Sequence, residues 1–161
     1  MRPHSVIHVG LAILLVAGCD VFTGPADRVD ITLAVSRDTL LIQADTLAIR
    51  VRVMNPTADT LRFDGGGCLL QFEIRDKAGD VVAPELLACP AILRHVRLAP
   101  GDTLNATFGW YGERWTSRVS PPPPELLPAG TYQVYGILDA IGDRQRTDAR
   151  TVILVQSATE E

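Results

Sequence analysis

Histidine, cysteine, aspartate and arginine carry the chemistry this sequence can do, and their spacing limits it. The three histidines stand at positions 4, 8 and 95. His4 and His8 belong to an apolar N-terminal stretch. His95 lies in Ile92-Leu93-Arg94-His95-Val96-Arg97-Leu98, where Ile92, Val96 and Leu98 share one strand face and His95 takes the other. That placement predicts a solvent-facing histidine; the alternative is a general base. With one histidine outside the N-terminal stretch and three cysteines in all, a Ser-His or Cys-His nucleophilic pair has little material. Zinc needs three or four clustered ligands, and no such spacing occurs. Asp64, Asp76, Asp80, Asp102, Asp139 and Asp143 sit in turn-like stretches without EF-hand spacing. Calcium binding by one of these turns is the alternative to ordinary turn chemistry. Gly65-Gly66-Gly67 is followed by neither a helix start nor a lysine, so it is no phosphate loop. The residue inventory therefore predicts a non-enzyme with no metal and no cofactor. Arg50 and Arg52 alternate on one strand, and Arg94 and Arg97 on another. They are read as a candidate anion-attracting patch, against the alternative of a solvated β face.

The first of the cysteines closes a recognisable segment. Met1-Arg2 supplies a positive start, and Val6 to Val16 is apolar but too short to span a bilayer, which needs roughly 20 apolar residues. It fits the core of a secretory signal. The run ends Leu15-Val16-Ala17-Gly18-Cys19, which resembles the bacterial lipobox. Small residues admit the signal peptidase, and the thiol takes the lipid. The expectation is a signal peptide over 1–18, lipidation at Cys19 and a tether over 19–28. Acyl chains contribute roughly 0.8 kcal/mol per buried CH₂, so the mature chain is expected on a membrane surface, in the bacterial cell envelope facing the periplasm or exterior.

That leaves Cys68 and Cys89 as an even pair in an oxidising compartment, and they are expected to form a disulfide. Closing a loop of about 20 residues contributes roughly 3 kcal/mol. The alternative is two buried free thiols. A formal net charge of −4 gives no basic stripe of the kind that tracks phosphates, so nucleic acid is excluded as an expected partner.

The elements that must position these residues are strands. Apolar residues alternate at Val29-Ile31-Leu33-Val35, Leu47-Ile49-Val51-Val53, Leu70-Phe72-Ile74 and Leu104-Ala106-Phe108-Trp110. A period of two means one buried face and one wet face. Shorter strands are expected at 40–42, 60–63, 92–98, 131–138 and 149–155. Turns are expected at Asn55-Pro56, Asp76–Asp80, Ala99–Asp102 and Pro128-Ala129-Gly130. Eight or nine such strands predict an all-β sandwich or barrel over 29–157. Two stretches break the pattern. Asp64–Cys68 reads as a flexible loop pinned by its cysteine. Residues 111–130 hold Tyr111, Trp115 and Pro121-Pro122-Pro123-Pro124, a stiff polyproline II run.

Residues 47–138 resemble the intracellular proteinase inhibitor (BsuPI-type) domain family. The matching stretches are VRVMNPTADT (51–60), FEIRDKAG (72–79), LAPGDT (98–103) and LPAGTYQV (127–134). The resemblance implies an immunoglobulin-like antiparallel β-sandwich. The expected function is a membrane-anchored, non-catalytic protein-interaction module with an envelope protein or protease as partner. The alternative is a proteinase inhibitor presenting a rigid loop. Tyr111, Trp115, Gly66, Arg50 and Arg52 are the expected contact residues.

Overall fold

A computed structural model describes residues 28–83, 89–114 and 125–156. Residues 1–27, including Cys19 and the tether, lie outside that description, as do Trp115 and Pro121–Pro124. The described residues form twelve strands. They are β1 (Asp30–Val35), β2 (Thr39–Leu41), β3 (Leu47–Met54), β4 (Leu61–Arg75), β5 (Val81–Ala83), β6 (Arg94–Leu98), β7 (Thr103–Trp110), β8 (Glu113–Arg114), β9 (Glu125–Leu126), β10 (Gly130–Ala140), β11 (Asp143–Arg146) and β12 (Arg150–Val155). A smaller sheet runs β1-β3-β7, and a larger one runs β2-β12-β10-β4-β5, with β11 on β10 and β6 on β4. Pairing is antiparallel except between β2 and β12.

Sequence alternation builds the core directly. Leu47, Ile49, Val51 and Val53 of β3 are all 0% exposed, while Ala48, Arg50 and Arg52 between them face solvent. With Leu33 and Trp110, the first three meet Phe72, Ile74, Val134, Val152 and Leu154 of the larger sheet, while Val53 joins Leu61, Leu69 and Leu138. Each large apolar side chain sealed this way contributes about 1.5–3 kcal/mol. Tyr132, at the start of β10, donates its hydroxyl to the Pro128 carbonyl at 2.9 Å. Its ring meets Trp110 edge-on, with centroids 6.3 Å apart. A tyrosine tied back to the chain just upstream is a recurring corner of immunoglobulin-like sandwiches. The domain is an immunoglobulin-like antiparallel β-sandwich.

Asn55 locks one end of it. The residue is fully buried. Its amide donates to the Asp59 carbonyl at 2.7 Å and the Leu98 carbonyl at 2.9 Å. Its Oδ1 accepts from the Thr57 N–H at 2.9 Å and the Thr57 hydroxyl at 2.8 Å. Its backbone N–H donates to Asp102 at 3.0 Å and its carbonyl accepts from Gly101 at 2.9 Å. Gly101 has φ +78°, a conformation that favours glycine. One residue, through its side chain and its backbone, thus joins the ends of β3 and β6 to the entry of β7.

The expected loop at Asp64–Cys68 is not a loop. It belongs to β4, a 15-residue strand that merges the two shorter strands read from the sequence. Before the glycines, Leu61 and Phe63 face the core; after them, Phe72 and Ile74 do. The side-chain phase therefore switches from odd to even, and a strand can do that only through an irregularity. The irregularity is there: Ala140 pairs with Gly65 but Leu138 with Leu70. Cys68 and Cys89 are joined by the expected disulfide at this spot, with Cα atoms 5.2 Å apart. It draws Pro90 against the bulge. A Cβ added to Gly67 would collide with the Pro90 carbonyl oxygen and stand 2.8 Å from its Cδ. One added to Gly66 would meet nothing within 4 Å.

Two expected outcomes follow from this packing. Gly67→Ala lowers stability by about 1–3 kcal/mol through overpacking, whereas Gly66→Ala stays within about 0.5 kcal/mol; urea midpoints compare them. Asn55→Ala leaves buried carbonyls unpaired and costs about 2–4 kcal/mol, which the same denaturation curves measure.

Candidate functional site

The outer face of the larger sheet carries the densest polar constellation among the described residues. Alternation along β4 places Gln71, Glu73 and Arg75 on a wet face. Gln71 and Glu73 are instead only 2% and 8% exposed. The register supplies the cause. Glu73 lies opposite Tyr135, and Gln71 opposite Ile137. On the other side of β10, Ile137 faces Arg146 and Asp139 faces Arg144. The Ile141-Gly142 turn, with Gly142 at φ +81°, folds β11 back along β10. Its two long arginine side chains then lie back toward Glu73.

Arg75 Nε donates to Glu73 Oε1 at 2.5 Å. Arg146 Nη1 stands 3.6 Å from the same oxygen, and Arg144 Nη2 3.8 Å from Oε2. The Arg146 guanidinium rests 4.4 Å above the Tyr135 ring centroid, an attractive arrangement for a cation. Arg75 also donates to the Gly79 carbonyl at 2.9 Å. The hydrogen bond that Arg75 donates to Glu73 raises the Arg75 pKa above its ordinary value. Three cations meet the Glu73 carboxylate here, with Asp80 near Arg75 and Asp139 tied in through Gln71. Gln71 links the group to the disulfide. Its amide donates to the Cys68 carbonyl at 2.6 Å and to Asp139 at 3.2 Å. The arrangement presents half-exposed guanidiniums braced from beneath, a geometry suited to planar anionic acceptors.

The sequence-predicted contact residues are dispersed. Arg50 and Arg52 are exposed on the smaller sheet, whereas Arg94 and Arg97 lie on β6 in the larger one. The two pairs do not make one patch, because β6 pairs with β4 and not with the sheet that holds β3. His95 is exposed, with Nδ1 2.8 Å from Asp64 Oδ1. Gly66 is exposed within β4 and forms no presented loop. Tyr111 is 50% exposed. The irregular stretch expected over 111–130 begins and ends in a short β8–β9 pair. Leu127 N–H donates to Gly112 at 2.8 Å, and the Trp110 indole to the Glu113 carbonyl at 2.9 Å. Burial pushes the Glu113 carboxyl above its ordinary pKa. Among the described residues, no group of three or more His, Cys, Asp or Glu side chains is placed to hold a metal.

Sequence reading missed Glu73, Arg75, Tyr135, Arg144 and Arg146. A signal existed: Arg144-Gln145-Arg146 alternates just after a turn from Tyr135–Asp139. Only the pairing of β4 with β10 shows that both arginines aim at Glu73.

No family model matches this chain, and no curated protein matches it. Solved structures do. A β-glucosidase from Erythrobacter marinus shares 18% identity at TM-score 0.45 over 79% of this chain. This chain spans 15% of that enzyme. The CARDB domain of a Pyrococcus furiosus protein, in complex with di-metal ions, shares 14% identity at TM-score 0.44, covering 80% of this chain and 90% of that one. A Pseudomonas fluorescens alkylpurine DNA glycosylase bound to DNA shares 12% at TM-score 0.46, covering 79% and 30%. Likenesses at this level assign no family and no activity.

Removing the central carboxylate leaves the arginines facing one another. Glu73→Ala is expected to cost about 1–3 kcal/mol at low salt, and the loss should shrink in 1 M NaCl as screening shortens the repulsion to roughly 3 Å. Thermal melts at the two ionic strengths test it.

Proposed function

We propose that this chain is a lipid-anchored, extracytoplasmic interaction module of the bacterial cell envelope. It binds an envelope protein through the outer face of its larger sheet. The observation that carries the reading is the Arg75–Arg144–Arg146 group set on Glu73 and Tyr135. Arginine and tyrosine concentrate binding energy at protein interfaces. Here their rotamers are already braced, so less ordering entropy is lost on binding. The export half of the reading is supported by two independent features. One is the Leu15–Cys19 ending of the apolar segment. The other is the Cys68–Cys89 bridge, a bond that persists in oxidising compartments. The resemblance to BsuPI-type domains supports the same kind of module, a binding surface on an immunoglobulin-like frame.

Both halves are tested on the full chain in its own cells. Metabolic labelling with a fatty-acid analogue is expected to mark the protein, and Cys19→Ala to abolish the label; an unlabelled wild-type chain overturns the anchor. Chemical cross-linking in intact cells is expected to trap an envelope protein. Arg144→Ala with Arg146→Ala should cut that adduct by about tenfold, as loss of a binding hot spot does. An unchanged adduct, or none, overturns the assignment of the face.

A further inference from the structure

The smaller sheet ends on β7, and β7 is built unlike the other edges. Exposed strand edges invite pairing with another chain, and proteins usually blunt them by shortness, charge or proline. The edges of the larger sheet follow that rule, and β1 carries a charge at one end. β2 and β5 are three residues each. β6 carries Arg94, His95 and Arg97, β11 carries Asp143, Arg144 and Arg146, and β1 begins with Asp30. β7 reads Thr-Leu-Asn-Ala-Thr-Phe-Gly-Trp over eight residues, with no charge and no proline. Among the described residues it pairs with β3 alone.

The hydrogen-bond phase shows which groups point outward. Ser36 N–H donates to the Ala48 carbonyl, so Ala48 faces β1 and turns away from its β7 neighbour Gly109. Antiparallel ladders alternate. Leu104, Ala106, Phe108 and Trp110 therefore bond to β3, while Thr103, Asn105, Thr107 and Gly109 direct their N–H and C=O groups at the open edge. A second observation concerns the core beneath. Leu104, Ala106 and Phe108 point inward yet remain partly exposed, whereas their β3 neighbours Val53, Val51 and Ile49 are completely buried. A strand beside β7 would cover them. β6 immediately precedes β7 in sequence and would be the natural occupant, but it is engaged with β4 in the other sheet.

We infer that β7 is a self-association edge, on which a second copy of this chain adds its own β7 in antiparallel register centred on Ala106. The sequence is complementary to itself in that register. Leu104 falls opposite Phe108 of the second copy, and Ala106 opposite its own counterpart, all on the apolar face. Asn105 falls opposite Thr107, and Thr103 opposite Gly109, on the polar face. Those four positions are the ones whose backbone groups point outward, so each such pair exchanges two hydrogen bonds. No like charges meet. The contact is isologous and closes on itself as a dimer. This edge is separate from the arginine face, and the inference does not depend on the binding role proposed for that face.

Site-directed cross-linking of the full chain in its own cells tests the pairing. Ala106 would face its counterpart as a non-hydrogen-bonded pair, with Cα atoms about 4.5 Å apart, within disulfide reach. Ala106→Cys is expected to give a reducible dimer of twice the chain mass. Ala34→Cys, on the opposite edge strand, is expected to stay monomeric. Adding Thr107→Pro removes one outward N–H without touching the β3 ladder, and should lower the dimer fraction about tenfold, the equivalent of 1.4 kcal/mol. Asn105→Glu with Thr107→Glu provides a second disruption. These side chains lie beside Arg52 and Arg50 within one copy but bring carboxylates together across the seam. A monomeric Ala106→Cys chain, equal cross-linking at Ala34→Cys, or an adduct with a protein of different mass each overturns the inference.

Discussion

A strand as long as β4 cannot serve two neighbours in one side-chain phase, and the architecture follows from how it changes phase. Its first half pairs with β6 and sends Leu61 and Phe63 inward. Its second half pairs with β10 and sends Phe72 and Ile74 inward. Between them the glycine tract takes up the mismatch, and the Cys68–Cys89 bridge fastens the following segment to it. Without Cβ atoms at Gly65 and Gly67, backbone and Leu69 or Pro90 can approach closely enough for that packing. The phase change decides that Glu73 points outward, where the β11 arginines reach it.

The same strand shapes the other side of the molecule. By taking β6 as a partner, β4 leaves the smaller sheet at three strands. The turn at Ala99–Asp102 then carries the chain from one sheet to the other, and the buried Asn55 amide holds that crossing by bonding both Asp59 and Leu98. The exposed flank of β7 and the arginine face are thus two consequences of one pairing choice. They lie on different sheets and present different chemistry, one a row of backbone donors and acceptors, the other a set of guanidiniums.

Charge is distributed with the same economy. Most described aspartates occupy turns, where their side chains bond local N–H groups, as Asp76 does for Ala78 and Asp80 and Asp102 does for Ala99. Arginines occupy strands, where long stems can lie along a sheet before the charge reaches water. Arg146 does so over Tyr135.

The period-two alternation of apolar residues was enough to place β1, β3 and β7 and to say which side chains face the core, because a strand with one sealed face has a single workable phase. The even cysteine pair and the turn residues were legible for a similar reason: each depends on local chemistry. Gly65-Gly66-Gly67 was misread as a loop, since glycine marks both loops and bulges, and only the partners on either side distinguish them. Gln71 and Glu73 were misread as wet. Their cover arrives from residues some seventy positions away in the chain. Which arginines gather, and which strand edge is left open, depends on pairing between distant segments, and that pairing is set by the competition among all strands for burial in one core.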